Sequence, residues 1–347
     1  MGFNGPGRKW ISSCEVNVLE TLVLKEEDVK QLLNMNEVLN VVEQVFKEKA
    51  LGRVQMPPKM YIYFEPFNGD LRVMPSYVET FGISAVKIVN VHPDNRRYNL
   101  PTVMATITLV DPKTGTPLAI MGGTWITAMR TGAASGVATK HLSRKGSSKL
   151  ALIGTGVQAV TQMMAMAQVM KLEEVKVYDI ADDVKVNFVK RMISEYPDIK
   201  ISATRSIQEA VENVDVIVTV TPSRKPIIKN DWIKLGTHIS AIGADAPGKE
   251  ELDPAILKRA KIVVDDLEQS RHSGEINVPL EKGIISPKQI FGELGEIVAG
   301  KKTGRTSDKE ITIFDSTGLA IQDAVTAKLA YEKALKAGLG IRLNLAT

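Results

Sequence analysis

At 347 residues the chain is long enough for two domains, because a single hydrophobic core stops growing at roughly 250 to 300 residues. Its 44 Lys and Arg residues against 40 Asp and Glu leave a net charge of +4 that is spread along the chain, which excludes a nucleic-acid partner. No apolar run reaches the roughly 18 residues of a membrane span, and the single cysteine, Cys14, excludes an intrachain disulfide.

The N-terminal third combines helical and extended patterns. Residues 1–17 lack the apolar stretch of a secretory signal, so we interpret them as a loose extension of a cytoplasmic protein. In residues 25–51 apolar side chains recur at helical spacing, which predicts two short helices that end before Gly52. Between Met60 and Met121, short β-rich runs separated by Gly, Pro, Asn and Asp predict a sheet that is not interleaved with helices.

A longer helix is predicted next, from a cap at Thr124 to about Leu142. It carries Gly132 and Gly136 four residues apart. A missing side chain at such positions lets another backbone come close, and packing alone explains these glycines.

The remaining chain alternates strand and helix patterns. From Lys149 to about Val264 apolar strands alternate with helical stretches, which predicts a doubly wound parallel sheet of the Rossmann type. We expect this α/β domain at residues 148–311. An α+β domain would comprise residues 1–147 and 312–347, because a last helix with apolar residues at spacing four returns to it.

A glycine-rich turn follows the first strand of the predicted Rossmann domain. Gly154 allows a tight turn, Gly156 lets the backbone approach a pyrophosphate, and Ala159 is small enough for close helix–strand packing. Asp179 ends the next strand, at the offset expected for the ligand of a ribose hydroxyl, and its charge favours NAD over NADP. The alternative is that Asp179 only caps the helix that begins near Asp182.

Two polar segments follow later strands of the same domain. The run Thr219-Val-Thr221-Pro222-Ser223 would face the cofactor, because ligands bind beyond the carboxyl ends of the strands; alternatively it is only a turn. Asp245 follows another strand and would lie beside the nicotinamide. An Asp in a Gly/Pro-rich turn is the alternative there.

Lys87 is the candidate for proton transfer. It lies in the run Ile83–Val91, where the period of two places it on the same face as apolar residues. Burial would lower its pKa towards a range useful for proton transfer or for polarising a carbonyl. On this strand alone, an edge lysine that reaches water is the simpler interpretation.

Three further basic residues, Lys59, Arg72 and Arg130, are candidates for binding a substrate carboxylate, although each could be a surface charge. The histidines show no ligand spacing, so we expect no metal site, and the one within a strand is interpreted as a core residue. These histidines are His92, His141, His238 and His272.

The chain resembles the ornithine cyclodeaminase and mu-crystallin family from about Leu19 to the final helix, and most closely its archaeal NAD-dependent alanine dehydrogenase branch. The resemblance is carried by Gln55-Met-Pro-Pro-Lys59, Asp70-Leu-Arg72-Val-Met-Pro75, Arg130-Thr-Gly-Ala, Gly154-Thr-Gly156, Thr221-Pro-Ser-Arg-Lys-Pro226, Ala241-Ile-Gly-Ala-Asp245, Val263-Val-Asp-Asp-Leu-Glu268 and Phe314-Asp-Ser-Thr-Gly-Leu-Ala-Ile-Gln-Asp323.

The resemblance implies a homodimer built through the first, substrate-binding domain, with the active site between this domain and the Rossmann domain. It implies that Lys87 is the active-site lysine, that Asp245 is the catalytic aspartate, and that Arg130 and Lys59 surround the substrate carboxylate. The expected cofactor-binding residues are Arg130, Thr131, Gly154, Thr155, Gly156, Val157, Gln158, Asp179, Thr219, Thr221, Pro222, Ser223, Ile242, Gly243, Asp245, Ser316, Thr317 and Gly318.

Arg72 distinguishes the branches of the family. The resemblance implies a glutamate at this position in the cyclodeaminases, suited to the distal ammonium of ornithine, whereas the arginine here would favour a short substrate with a carboxylate. The expected reaction is the NAD-dependent, reversible oxidative deamination of L-alanine to pyruvate and ammonia. The alternatives are a ketimine or pyrroline-2-carboxylate reductase, an ornithine cyclodeaminase, and a mu-crystallin-like protein that binds NAD(P)H and a small ligand without turnover.

Overall fold

The computed structural model describes residues 20–345. Residues 1–17, with Cys14 and their interpretation as an extension, lie outside the described residues. Within residues 20–345, no helix is both long enough and apolar enough to cross a membrane.

The first domain is a mixed sheet covered by helices, as its sequence patterns predict. Its elements are β1 (Glu20–Leu24), α1 (Glu26–Leu32), α2 (Met35–Ala50), β2 (Val54–Gln55), β3 (Met60–Phe64), β4 (Gly69–Val78), β5 (Ile83–Val91), β6 (Val103–Val110), β7 (Pro117–Gly122) and α3 (Thr124–Leu142).

The second unit alternates strands and helices. Its elements are β8 (Lys149–Ile153), α4 (Val157–Val169), β9 (Glu174–Tyr178), α5 (Asp182–Glu195), β10 (Lys200–Ala203), α6 (Ile207–Val211), β11 (Val216–Thr219), β12 (Arg224–Ile228), β13 (His238–Ala241), β14 (Glu250–Leu252), α7 (Pro254–Arg259), β15 (Ala260–Val264), α8 (Leu267–His272), α9 (Asn277–Glu281), β16 (Ile290–Glu293), α10 (Leu294–Val298) and β17 (Ile311–Asp315). The chain then forms α11 (Ala320–Ala337) and β18 (Ile341–Asn344).

The sheet of the first domain has the order β18-β1-β7-β6-β5-β4-β2, with β3 also paired to β4. Strand β5 pairs with β4 on one side and β6 on the other, both antiparallel, so it is interior to the sheet. Its residues alternate between a buried inner face and a more exposed outer face, as the period of two requires. Helix α11 packs against β4 and β5 and returns the chain to this domain, as expected.

The second sheet is parallel, with the order β10-β9-β8-β11-β13-β17-β15-β16. The chain leaves β8 in one direction to form β9 and β10 and resumes on its other side with β11, which is the switch point of a Rossmann fold. The predicted fold class, a Rossmann domain joined to an α+β domain, is confirmed. The expected boundary between residues 311 and 312 is not, because it falls inside β17, a strand between β13 and β15.

Helices α3 and α4 join the two domains through the glycines of α3. A Cβ atom at Gly132 would lie 2.4 Å from the carbonyl oxygen of Thr161, and one at Gly136 would lie 2.7 Å from Cδ2 of Leu39. The predicted close approach of another backbone is therefore present at Gly132.

The start of α3 differs from the prediction. Its N-cap is Gly123, and no side chain caps the helix. Thr124 is the first helical residue, and its hydroxyl accepts a hydrogen bond from the backbone N–H of Ala105 on β6. Thr124 therefore attaches the helix to the sheet instead of capping it.

Candidate active site

Lys87 lies at the centre of the inner face of β5, with its side chain 1% exposed. Its Nζ atom is 2.7 Å from a carboxylate oxygen of Asp323, in the first turn of α11. The other oxygen of Asp323 accepts a hydrogen bond from Nε of Arg130 on α3, at 3.0 Å. The interpretation of Lys87 as an edge lysine is wrong, because β5 is an interior strand. One buried carboxylate thus holds two of the predicted basic residues.

The ammonium and amine forms of Lys87 are both populated near neutral pH. Burial lowers the pKa of Lys87 to about 7, against the attraction of the Asp323 carboxylate, and the Arg130 guanidinium adds to the lowering. A lysine with this pKa can donate or accept a proton at physiological pH.

Arg72 stands on β4, on the same inner face as Lys87. Asp70, two residues before it, accepts from its Nε and Nη2 atoms at 2.8 and 3.0 Å, which fixes the plane of the guanidinium. Nη1 donates to a carboxylate oxygen of Asp245 at 2.9 Å. Tyr61, opposite Arg72 on β3, places its ring 5.4 Å from the guanidinium carbon. The predicted residues Arg72 and Asp245 therefore meet across the two domains.

Asp245 also forms an ion pair with Lys249, which was not among the predicted site residues. Its second oxygen lies 2.6 Å from Nζ of Lys249, four residues later. Burial opposes ionisation, but Lys249 and Arg72 outweigh it and hold the pKa of the Asp245 carboxyl well below its usual range. Asp245 is thus an ionised carboxylate between two cations and not a free turn residue.

Lys59 completes the basic side of the site. Its Nζ donates to the backbone carbonyl of Thr317 at 2.5 Å, just beyond the end of β17. Burial lowers the pKa of Lys59 to about 8, and the neighbouring Arg72 guanidinium adds to this effect. A Cβ atom at Gly318 would lie 2.6 Å from Nη1 of Arg130, so the predicted Thr317-Gly318 segment lies directly against the predicted basic residues.

The glycine-rich turn has the geometry predicted for a dinucleotide site. Gly154 has φ +101, and a Cβ atom there would lie 3.0 Å from the carbonyl oxygen of Val220, beyond the adjacent strand β11. Gly156 is the N-cap of α4, and no heavy atom of residues 20–345 lies within 4 Å of the position of a Cβ atom, which leaves space for a ligand. This space faces the N-terminus of a helix, where free N–H groups suit a phosphate. Val157 and Gln158 are the first residues of α4.

Asp179 is held beside this turn. One oxygen accepts from the backbone N–H and the hydroxyl of Thr155, both at 2.7 Å, and the other accepts from the backbone N–H of Ala181 at 2.9 Å. The residue before α5 is Ala181, and no side chain caps this helix. Asp179 is therefore not the cap of α5, and its second oxygen retains a lone pair for a further donor.

The segments that follow β11 and β13 meet at the carboxyl edge of the Rossmann sheet. The carboxylate of Glu251 accepts hydrogen bonds from Thr219, Thr221 and Gly243, which places the segments after β11 and β13 side by side. Ser223 forms a local turn, since its hydroxyl donates to the carbonyl of Lys225. The other predicted residues of these segments are Pro222 and Ile242, and those after β17 are Ser316, Thr317 and Gly318.

The described histidines lie apart from one another, and His238 belongs to the core. His238 is fully buried and hydrogen-bonded to Thr312, and burial lowers its pKa to about 3, as suits a neutral core residue. No group of three or more His, Cys, Asp and Glu side chains within residues 20–345 could hold a metal ion.

Four site residues were missed as functional residues, although two of them, Asp70 and Asp323, lay in quoted motifs. Asp70 shares a strand with Arg72 at the same-face spacing of two, and Lys249 follows Asp245 by four residues. Asp323 and Glu251 come from elements distant in sequence from their partners, so no local pattern identifies them.

Comparison with known proteins decides the family. The model of the ornithine cyclodeaminase/mu-crystallin family matches residues 19–338. The chain belongs to this family. The resemblance inferred from the sequence motifs is thereby confirmed.

Two solved relatives within the family hold NAD or NADH. The alanine dehydrogenase of Archaeoglobus fulgidus is 51% identical over 94% of this chain and 99% of that protein. A solved archaeal alanine dehydrogenase dimer with bound NAD has a TM-score of 0.89 and 51% identity, over 93% of this chain and 99% of that chain. The Δ1-pyrroline-2-carboxylate reductase of Thermococcus litoralis was solved with NADH and L-proline. It has a TM-score of 0.91 and 45% identity, over 93% of this chain and 100% of that chain. The family supports oxidoreductase or cyclodeaminase activity.

Proposed function

We propose that the protein catalyses the NAD-dependent, reversible oxidative deamination of L-alanine to pyruvate and ammonia. The observation that carries this proposal is the arginine at position 72, which Asp70 holds and which donates a hydrogen bond to Asp245. It belongs to a group of four buried or partly buried basic residues, Lys59, Arg72, Lys87 and Arg130. Such a site favours a short substrate with a carboxylate and disfavours the second ammonium of ornithine. The 51% identity to an archaeal alanine dehydrogenase supports it.

The glycine-rich turn and the strand ends would hold NAD. The open space at Gly156 and the N-terminus of α4 suit the pyrophosphate, and the remaining lone pair of Asp179 suits a ribose hydroxyl. The negative charge of Asp179 disfavours the 2′-phosphate of NADP. When bound at these residues, NAD would supply the hydride acceptor for alanine oxidation, and NADH would supply the hydride donor for the reverse reaction.

The residues of the first domain would bind and polarise the substrate. Arg72, Lys59 and Arg130 would hold the carboxylate and so orient the α-carbon, which lowers the entropic cost of reaction. In the oxidative direction neutral Lys87 would take the proton released from the substrate amine as the carbon–nitrogen double bond forms. In the reductive direction its ammonium form would donate a hydrogen bond to the oxygen of pyruvate.

Asp245 would manage the water of hydrolysis. The oxidised substrate, an imine, must gain water and release ammonia to give pyruvate. Asp245 is ionised, so it would accept a proton from this water, and Lys249 beside it would keep the carboxylate in place. The net reaction consumes alanine, water and NAD⁺ and yields pyruvate, ammonium, NADH and a proton.

We also propose a homodimer formed through the first domain. Met60, Ile62, Ile88 and Met104 are exposed on the outer face of the sheet, opposite the face that carries Lys87. Their strand pairings place them on one continuous apolar surface, which a second copy would cover. The solved archaeal relative is a dimer.

The test is to follow NADH absorbance with pyruvate, with and without ammonium. Oxidation of NADH that requires ammonium supports the proposal, and the reverse reaction with L-alanine and NAD should release pyruvate. Formation of proline from ornithine without net change in NADH would instead assign a cyclodeaminase.

A second candidate is the reduction of a cyclic imine such as Δ1-pyrroline-2-carboxylate. The 45% identity and TM-score of 0.91 to the reductase from Thermococcus litoralis favour it, and the same cationic site suits the ring carboxylate. NADH oxidation with pyrroline-2-carboxylate, and none with pyruvate and ammonium, would select this activity.

A further inference from the structure

Four buried carboxylates lie at the carboxyl edge of the Rossmann sheet, outside the proposed catalytic groups. We call Glu251, Glu275, Asp315 and Asp265 the carboxylate chain. Each is completely buried, and none of them forms an ion pair with a basic side chain of residues 20–345. Burial raises the pKa of all four carboxyl groups, and that of Asp315 to about 8. Burying such polar groups without a cationic partner is costly, so four of them at one edge require a compensating role.

Glu251 joins the two segments that follow β11 and β13. One of its oxygens accepts from the backbone N–H and the hydroxyl of Thr221, at 2.8 and 2.7 Å. The other accepts from the hydroxyl of Thr219 at 2.6 Å and from the backbone N–H of Gly243 at 3.0 Å. A Cβ atom at Gly243 would lie 2.1 Å from the carbonyl oxygen of Thr221, so the two segments are in direct contact.

The other members hold Glu251 in turn. The backbone N–H groups of Glu251 and Leu252 donate to Glu275, at distances from 2.6 to 3.1 Å. The backbone N–H groups of Glu275 and Ile276 donate to Asp315, at 2.8 and 3.2 Å. Glu275 therefore fixes the backbone of Glu251, and Asp315 fixes the backbone of Glu275.

The carboxylate chain ends at Asp265, beside the substrate site. The backbone N–H of Asp265 donates to the carbonyl of Asp315. The carboxylate of Asp265 accepts from the backbone N–H groups of Thr317 and Gly318, both at 2.7 Å. The carbonyl of Thr317 is the acceptor for Lys59. The carboxylate chain thus runs from the segments after β11 and β13 to a proposed substrate ligand.

We infer that Glu251 is a positioning residue for the nicotinamide end of the dinucleotide, with the rest of the carboxylate chain as its support. Val220, between the two threonines that Glu251 holds, contacts Gly154 of the glycine-rich turn, and Gly243 accepts a hydrogen bond from the backbone N–H of Asp245. Glu251 therefore sets the distance between the glycine-rich turn and Asp245. This inference rests on the proposed placement of the nicotinamide at these strand ends.

The substitution Glu251→Gln tests the role with little change in shape. Each oxygen of Glu251 accepts one backbone N–H, from Thr221 or from Gly243. Whichever oxygen becomes an NH₂ group, one of these N–H groups faces a donor and loses its partner. Glu250→Gln is the matched control, because Glu250 is the neighbouring buried residue and lies 3.6 Å from Lys282, outside the proposed site.

The measurements are the NADH dissociation constant by fluorescence titration, the unfolding midpoint, and the kinetic isotope effect with NADH deuterated at the transferred position. We expect Glu251→Gln to bind NADH at least about fivefold more weakly, since a buried hydrogen bond is lost. We also expect a larger isotope effect, because a misaligned nicotinamide makes hydride transfer slower than the other steps. Glu250→Gln should match the wild type in both.

A folded Glu251→Gln variant with wild-type NADH affinity and isotope effect would overturn the inference, since a purely structural residue changes only the unfolding midpoint. If this variant does not fold, Thr221→Val removes one hydroxyl donor without altering the carboxyl group of Glu251, and unchanged NADH affinity there would overturn it. The proposed function fails separately, when the wild type binds NADH but does not reduce pyruvate with ammonium. The isotope effect is then measured with the imine that the enzyme does reduce.

Discussion

Asp245 lies between the two domains as a carboxylate paired with two cations. The Arg72 and Lys249 cations keep it ionised, so its amide analogue retains the shape but loses the capacity to accept a proton. We expect Asp245→Asn to lower kcat by about 10² to 10⁴ while NADH affinity is retained. Steady-state kinetics and fluorescence titration check this. Full turnover in the variant would remove Asp245 from the mechanism.

Lys87 should determine the pH dependence of alanine oxidation. Its pKa is lowered to about 7, so it is neutral above this pH, and only the neutral amine can accept the substrate proton. We therefore expect kcat/KM for alanine to rise through about pH 7, below the pH at which the substrate amine itself titrates.

The Asp323→Asn variant provides the control for this assignment. The Asp323 carboxylate favours the ammonium form of Lys87, so its removal should lower the pKa further and shift the inflection to a lower pH. An inflection that stays in place in Asp323→Asn would assign it to a group other than Lys87.

At the scale of elements, the crossing of α3 and α4 connects the substrate and cofactor sites. We expect Gly132→Val to lower the free energy of unfolding by about 3 kcal/mol, because its Cβ atom would overlap the backbone of Thr161 and separate the helices. The NADH affinity should fall as well, since α4 begins at the glycine-rich turn. Guanidinium unfolding and fluorescence titration measure the two effects.

Ser135→Ala in the same helix is the matched control. The hydroxyl of Ser135 is buried without a hydrogen-bond partner among the residues that the structure describes, so its removal should leave stability unchanged or increase it. A Gly132→Val variant as stable as Ser135→Ala would contradict the role of the close crossing.

The elements that were predicted are those with strong local patterns. The run Ile83–Val91 shows the period of two, and the glycine-rich turn follows a buried strand, so both were identified from neighbouring residues. Strand β17 was assigned to the wrong domain, because its place between β13 and β15 depends on pairings with distant segments. The same holds for Asp323, because α11 brings this residue to Lys87 only after the chain has completed the Rossmann domain.

At the scale of the whole molecule, the dimer prediction depends on the outer face of the first sheet. Ile62 and Ile88 are 56% and 42% exposed on this face, so we expect the double variant Ile62→Lys, Ile88→Lys to be monomeric in light scattering, because the buried charges would oppose association. Ile193→Lys, on α5 of the Rossmann domain at a similarly exposed position, should remain dimeric. A double variant that stays dimeric would place the interface elsewhere, and a monomeric wild type would rule out the dimer.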